Sequence, residues 1–222
     1  SDAAHELRTP LTALKLQVQL AQRAKTPEAQ DKCFARLNEG INRATRLVQQ
    51  LLTLARLDPV ASKKPMSTIH LDALIASIRD DMAPIAEQKD IIITASASPA
   101  QIAGMEDAIR LMITNLTDNA VRYTPQGGRI ELSSSIVNGR SIVRVSDNGP
   151  GIAPDERARV FDRFYRALGT KTSGTGLGLA IVKRIVDIHH GTVTIEDGLD
   201  GRGTCLFLSF PPLGASCPEE SV

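Results

Sequence analysis

Two periods of hydrophobic spacing divide the chain. Up to about residue 58, apolar positions recur at alternating steps of three and four. The first set is Ala4, Leu7, Leu11, Leu14, Val18 and Ala21; the second is Phe34, Leu37, Ile41, Ala44, Val48, Leu51 and Ala55. Such heptad spacing puts each set on one stripe of a helix. Between them lies "RAKTPEAQ" (23–30), where Thr26 can cap and Pro27 suits a first helical position. The pattern predicts a helical hairpin. So narrow a stripe leaves one hairpin half-covered, so a hairpin from a second copy is expected to complete a four-helix bundle. The alternative is packing on the rest of the same chain; the heptads running the length of both helices favour the dimer.

"DPVASKKPMST" (58–68) is rich in Pro, Ser and Lys and reads as a linker. Beyond it the pattern changes. An amphipathic helix is expected over 71–88, capped by Asp72, then a strand over 91–94 and a long helix over 105–123. Runs at 129–137 and 140–147, joined at Asn138–Gly139, predict a β-hairpin. A helix over 176–190, stopped by Gly191, precedes strands at 192–197 and 204–210. The expected organisation is a hairpin (1–58), a linker (59–68), a second domain (69–213) and a flexible tail (214–222). The second domain should be an α+β sandwich, one mixed sheet covered by helices on one face.

Composition narrows the chemistry. Apolar residues make up 42% of the 222, enough for a core, but aromatics only 3%, so the cores must be aliphatic. A net charge of +1 gives no electrostatic reason to expect nucleic acid or an anionic membrane as partner. Cys33, Cys205 and Cys217 form no CxxC or Cys/His cluster, so neither a disulfide framework nor zinc is indicated. No run of 18 apolar residues is present to span a bilayer. The first residue is not Met and a helical pattern is already running at residue 4, which reads as a fragment of a longer protein.

Several stretches carry candidate chemistry. "DNGPGI" (147–152) follows a strand, and "SGTGLGLAIV" (173–182) leads into a helix. Glycines there let backbone N–H groups approach phosphates near a helix N-terminus. The second stretch is neither a Walker A loop nor a GxGxxG fingerprint. Asn115 and Asn119 share a face of the long helix at i, i+4. Their neutral carbonyl oxygens suit Mg²⁺ and leave phosphates as its anionic partners. "HELRTP" (5–10) sets a histidine beside an acid near the start of the first helix, with Pro10 inside the pattern. Either the helix begins at Pro10, or one helix bends there, since proline leaves the Glu6 carbonyl without its partner. The seam reaching back to Ala4 favours the bend.

In the order "HELRTP", "NLTDNAVRYTP", "DNGPGI", "VFDRFYR" and "GTGLGLAIV", the chain resembles the cytoplasmic part of a bacterial two-component sensor histidine kinase, from Ala3 to about Phe210. Within that family it looks most like the QseC-type and PmrB-type sensors. The resemblance implies a dimerisation and phosphotransfer hairpin, then a GHKL-type ATP-binding domain shared with gyrase, Hsp90 and MutL. It implies His5 as the phosphorylated residue, Glu6 as its orienting base and Thr9 as an aid to dephosphorylating the partner. Asn119 would hold Mg²⁺, with Asn115 beside it, and Arg122 and Tyr123 would border the nucleotide. Asp147 would accept from the adenine amino group, in a turn shaped by Gly149 and Gly151. Phe161 and Phe164 would edge a mobile lid within 152–173. Gly174, Thr175, Gly176, Leu177 and Gly178 would form the phosphate-facing loop.

The implied activity is ATP- and Mg²⁺-dependent autophosphorylation, then transfer to an aspartate of a response regulator receiver domain, with phosphatase activity as a possible addition. The implied partners are a second copy and that regulator. The implied location is the cytoplasmic portion of an inner-membrane sensor, tied to the membrane only through segments outside this sequence. A neutral imidazole, with an ordinary pKa of about 6.5, is a competent nucleophile near pH 7. Two rival readings are an ATPase without self-phosphorylation and a non-enzymatic dimerisation module. "HELRTP" opposes the first; the presence of Asn119, Asp147 and the glycines opposes the second. "GMED" departs from the family, where an Asp or Asn is expected after the glycine. His70, His189 and His190 are expected to be structural.

Overall fold

The computed structural model describes residues 2–56, 66–166 and 174–213, with the backbone alone for residues 2–10, Arg43 and Arg56. Residues 57 and 58 at the end of the hairpin, the 59–65 part of the expected linker, the 167–173 part of the lid and the tail from 214 lie outside the described residues. The chain divides into two compact units, 1–58 and 59–222.

The first unit is a hairpin of α1 (Asp2–Arg23) and α2 (Pro27–Arg56). Thr26 caps α2: its Oγ1 accepts from the Ala29 N–H at 3.2 Å, and Pro27 opens the helix. A start at Pro10 is excluded, because α1 runs unbroken from Asp2 through Pro10. Helix α3 (Leu71–Glu87) passes through Pro84 in the same way. The two helices meet over only part of the expected seam. Ala21 and Leu47 are buried, and Leu14 packs against Gly40, where an added Cβ would come within 2.7 Å of its Cδ2. Leu47 was not among the expected seam positions. Leu11, Val18, Phe34, Ile41 and Val48 remain exposed. A single hairpin therefore covers one side of the seam and leaves an apolar stripe open.

The second unit holds a five-stranded sheet of order β2-β4-β5-β7-β6, formed by β2 (Ile92–Ala97), β4 (Arg129–Val137), β5 (Arg140–Asp147), β6 (Thr192–Asp197) and β7 (Thr204–Phe210). Only β2 and β4 run parallel, so the sheet is mixed. Alternation sorts its faces. Ile130, Leu132, Val143, Val145, Leu206 and Leu208 are buried beneath α3, α4 (Glu106–Tyr123) and α5 (Gly178–Ile188). Thr94, Ser96, Arg144, Thr194 and Glu196 face outward and are exposed, with Arg144 laid over the Phe207 ring. This is the expected α+β sandwich, with helices on one face. Asn138 and Gly139 both take positive φ (51° and 76°), as a type I′ hairpin turn requires.

Several expectations need correction. A second, two-stranded sheet pairs β1 (Ser67–His70) with β3 (Gln101–Gly104), and β1 starts within the stretch expected to be linker. Because β1 ends at His70, that residue is the N-cap of α3; Asp72 lies in the first turn and does not cap. Strand β2 starts at Ile92, since the Ile91 N–H is still bonded to Ala86 O at the exit of α3. Helix α5 starts at Gly178, not Gly176. Its stop is also different: His190 takes the left-handed conformation (φ 52°), while Gly191 is required because a Cβ would meet the Phe210 ring at 2.8 Å.

Lys89 closes the far end of α4. Its ammonium donates to the carbonyls of Val121 (2.7 Å), Arg122 (3.2 Å) and Thr124 (3.0 Å). A cation there satisfies orphan carbonyls and meets the negative helix end. Lys89→Met should lower the stability of the second unit by about 1–3 kcal/mol, read from denaturant midpoints, with Lys89→Arg recovering part of the loss.

Candidate active site

Helix α4 places the asparagines. Its buried stripe includes Met112, Ile113, Leu116 and Ala120, so Asn115 and Asn119 fall half-buried at the stripe's edge. The Asn115 amide donates to Leu111 O at 3.0 Å, which leaves its carbonyl oxygen outward. Asn119 makes no side-chain hydrogen bond to a described residue. Facing them is the first residue of α5: a Cβ on Gly178 would lie 3.5 Å from Asn115 Oδ1 and 3.6 Å from Asn119 Nδ2. The start of α5, with its unsatisfied N–H groups and positive dipole end, thus abuts the asparagine face.

One turn along α4, Arg122 is paired with Asp118 at 2.8 Å. Its Nη1 would lie 3.3 Å from a Cβ on Gly174, and the Tyr123 hydroxyl 4.0 Å from the same point. Both residues therefore border the glycine loop. Gly176 has φ +69°, and a Cβ there would be 2.6–2.9 Å from the Phe164 backbone, whose N–H donates to Gly176 O at 2.9 Å. Phe164 itself sits at φ +65°, a strained conformation for an aromatic residue. Phe161 ends a 3₁₀ turn (Arg159–Phe161), and Tyr165 bonds Glu156 beneath the Arg159 guanidinium. Leu177 is fully buried, so its side chain belongs to the core, while Thr175 Oγ1 accepts from its N–H at 3.4 Å.

Asp147 ends β5 with its carboxyl buried. Oδ1 accepts two backbone N–H bonds, from Gly149 at 2.8 Å and Thr204 at 3.2 Å. Oδ2 is left for another donor. Burial pushes this carboxyl above the ordinary aspartate range, against the pull of the two N–H groups. Gly151 takes φ +79°, and a Cβ on Gly203 would strike Asp147 O at 2.2 Å, so the two glycines let this turn and the start of β7 close on each other. Gly149 keeps an ordinary φ; its value is the space beside Oδ1. Behind the turn, Arg157 binds Ile152 O at 3.1 Å and Asp197 at 2.6 Å.

Sequence reasoning missed Thr204, whose N–H orients Asp147, and Asn148, whose Oδ1 accepts from the Arg129 N–H at 2.8 Å. "GRGT" before β7 was the only local sign of the first. His5, Glu6 and Thr9 stand in the first turns of α1, and their side chains lie outside the described residues. Among the described residues no cluster of three His, Cys, Asp or Glu could hold a metal. Neutral asparagine oxygens are nevertheless a fit for Mg²⁺, which binds through one or two protein oxygens and substrate phosphates.

Residues 104–214 match the family described as Histidine kinase-, DNA gyrase B-, and HSP90-like ATPase, and residues 1–60 match the His Kinase A (phospho-acceptor) domain. Sensor protein QseC of Escherichia coli K12 is 45% identical over 204 residues, covering 90% of this chain and 44% of that protein. Sensor protein kinase PmrB of Pseudomonas aeruginosa is 38% identical over 204 residues, covering 91% and 43%. The crystal structure of full-length ShkA in complex with AMPPNP matches with a TM-score of 0.70 and 32% identity, over 93% of this chain and 44% of that one. The chain thus spans under half the length of these relatives. With a histidine kinase-type ATPase match over residues 104–214 and a phospho-acceptor match over residues 1–60, the chain belongs to the histidine kinase family.

Proposed function

We propose that the chain is the catalytic core of a sensor kinase that phosphorylates itself on His5 from Mg²⁺–ATP and passes the phosphoryl group to an aspartate of a response regulator. The reading is supported above all by the Asn115–Asn119 face set against the start of α5, in a chain whose first 60 residues match a phospho-acceptor domain. Asp147 Oδ2 accepts from the adenine amino group. Asn119, with Asn115, supplies oxygen to Mg²⁺, and Arg122, Tyr123 and the N–H groups of 174–178 hold the phosphates. The metal, when bound, neutralises phosphate charge.

The chemistry balances at His5. Glu6 holds one ring N–H; the other ring nitrogen attacks the γ-phosphorus as the bond to the ADP oxygen breaks. The ring proton leaves to Glu6 or water, giving a phosphoramidate. An aspartate oxygen of the regulator then displaces the histidine, which regains its proton. Thr9 helps position water when the regulator is dephosphorylated. Two hairpins pair through Leu11, Val18, Phe34, Ile41 and Val48, whose exposure supports a dimeric bundle. Among the described residues no helix is long and apolar enough to cross a membrane. We assign the chain to the cytoplasmic portion of a membrane sensor.

The test is incubation with γ-labelled ATP and Mg²⁺. The chain should take up label that is lost in acid and kept in base. Label with the reverse lability, or none, overturns the proposal.

A further inference from the structure

Helices α4 and α5 are fastened to each other at two places. One is Gly178 against Asn115 and Asn119. The other is at the opposite end, where His189, one residue past α5, reaches the N-cap of α4. His189 Nδ1 lies 2.7 Å from Ile185 O, and a carbonyl only accepts, so Nδ1 carries the hydrogen. Nε2 is then the acceptor for the Met105 N–H at 3.1 Å. Met105 offers no capping side chain of its own, and this is the position where the family pattern departs at "GMED". The ring fits only because residue 104 is glycine: a Cβ there would stand 2.7 Å from Cδ2 and 2.8 Å from Nε2. His189 is buried, and among the described residues no charged group of opposite sign pairs with it.

Resting on the nucleotide reading above, we infer that His189 is a positioning residue for that site: its neutral ring pins the N-terminus of α4 to the end of α5. The pin thereby sets the spacing between the asparagine face and the glycine loop. Helix α5 has 11 residues, about 16 Å of rigid rod, so a slip at one end is carried to the other. Protonation would turn Nε2 into a donor facing a donor. Burial already pushes this imidazole below the ordinary histidine range, in keeping with a ring held neutral. The other ionisable groups on the elements around it are Lys183, Arg184, Asp187 and the adjacent His190 on its own side, Glu106, Asp107, Arg110, Asp118, Arg122 and Tyr123 on α4, His70 on β1, and Glu196 and Asp197 on β6; β3 contributes none.

The test measures Mg²⁺–ADP affinity of the whole chain by calorimetry from pH 7.5 to 5.0, with circular dichroism checking that each variant is folded. His189→Gln can still present an acceptor oxygen to the Met105 N–H, yet does not titrate; His189→Leu presents none. At pH 7.5 His189→Leu should bind roughly tenfold more weakly, and His189→Gln within about threefold of the parent. As pH falls, the parent should weaken relative to His189→Gln, a ratio that cancels titration of the nucleotide and of the groups above. A role in stability alone would move the denaturation midpoint and leave these affinities equal. A folded His189→Leu that binds like the parent overturns the inference. If the parent binds no Mg²⁺–ADP at pH 7.5, the nucleotide reading falls and takes this one with it.

Discussion

Asp147→Asn should weaken Mg²⁺–ADP binding by at least about a hundredfold, ~3 kcal/mol, while leaving the fold as stable or more so. The two halves of this result come from the two carboxylate oxygens. Oδ1 is committed to the Gly149 and Thr204 N–H groups, and an amide oxygen can take its place. Oδ2 becomes an amide N–H₂, a donor set against the adenine amino group. Stability moves the other way because the buried carboxyl has a raised pKa. The folded state holds its proton more tightly than the unfolded chain does. Asp147's favourable contribution is thus full below about pH 3.9 and is lost as pH rises through the folded value. At neutral pH the ionised group is a burden that the bound nucleotide relieves. The stability gap between the Asn variant and the parent should therefore widen from pH 4 to 7, measured by urea unfolding without nucleotide. Unchanged affinity would sink the adenine assignment.

Local patterns were legible where chemistry and geometry lie close together in sequence. Asn138–Gly139 between alternating runs fixed the β4–β5 hairpin to the residue, and the spacing of Asn115 and Asn119 put them on one helix face. Thr26 and Pro27 marked the start of α2 for the same reason. What escaped depends on partners far away in the chain. The Thr204 N–H meets Asp147 across 57 residues, and His189 meets Met105 across 84. Strands β1 and β3 have four residues each, too few to show a period, and only their mutual pairing defines them. A glycine after a helix marks a stop, but the constraint on Gly191 is the Phe210 ring, which no local pattern supplies. The seam was legible as a pattern, but spacing cannot divide it between the contact inside one hairpin and the stripe left exposed.

His5→Gln should abolish labelling from γ-labelled ATP and leave Mg²⁺–ADP affinity within about twofold of the parent, whereas Asn119→Leu should lose both. The contrast follows from where the two residues stand. His5 belongs to α1 in the first compact unit, while Asn119 lies beside Gly178 in the second. Glutamine approximates the polarity and size of the imidazole but has no nucleophilic nitrogen near neutral pH, so the phosphoryl group has no acceptor. Asn119→Leu keeps the branched side-chain shape, favours the helical state of α4 and removes a half-buried oxygen offered to Mg²⁺. The loss in affinity should be roughly tenfold to a hundredfold, as expected when a charged metal–phosphate group loses one neutral polar partner. Residual acid-labile label on His5→Gln would move the acceptor to another histidine, and His70 and His190 are the exposed alternatives. Labelling that survives Asn119→Leu at full rate would mean that the α4–α5 face does not bind the phosphates at all. Phosphoryl transfer demands an acceptor and a nucleotide site at once, so two variants that fail for different reasons test it more sharply than either alone.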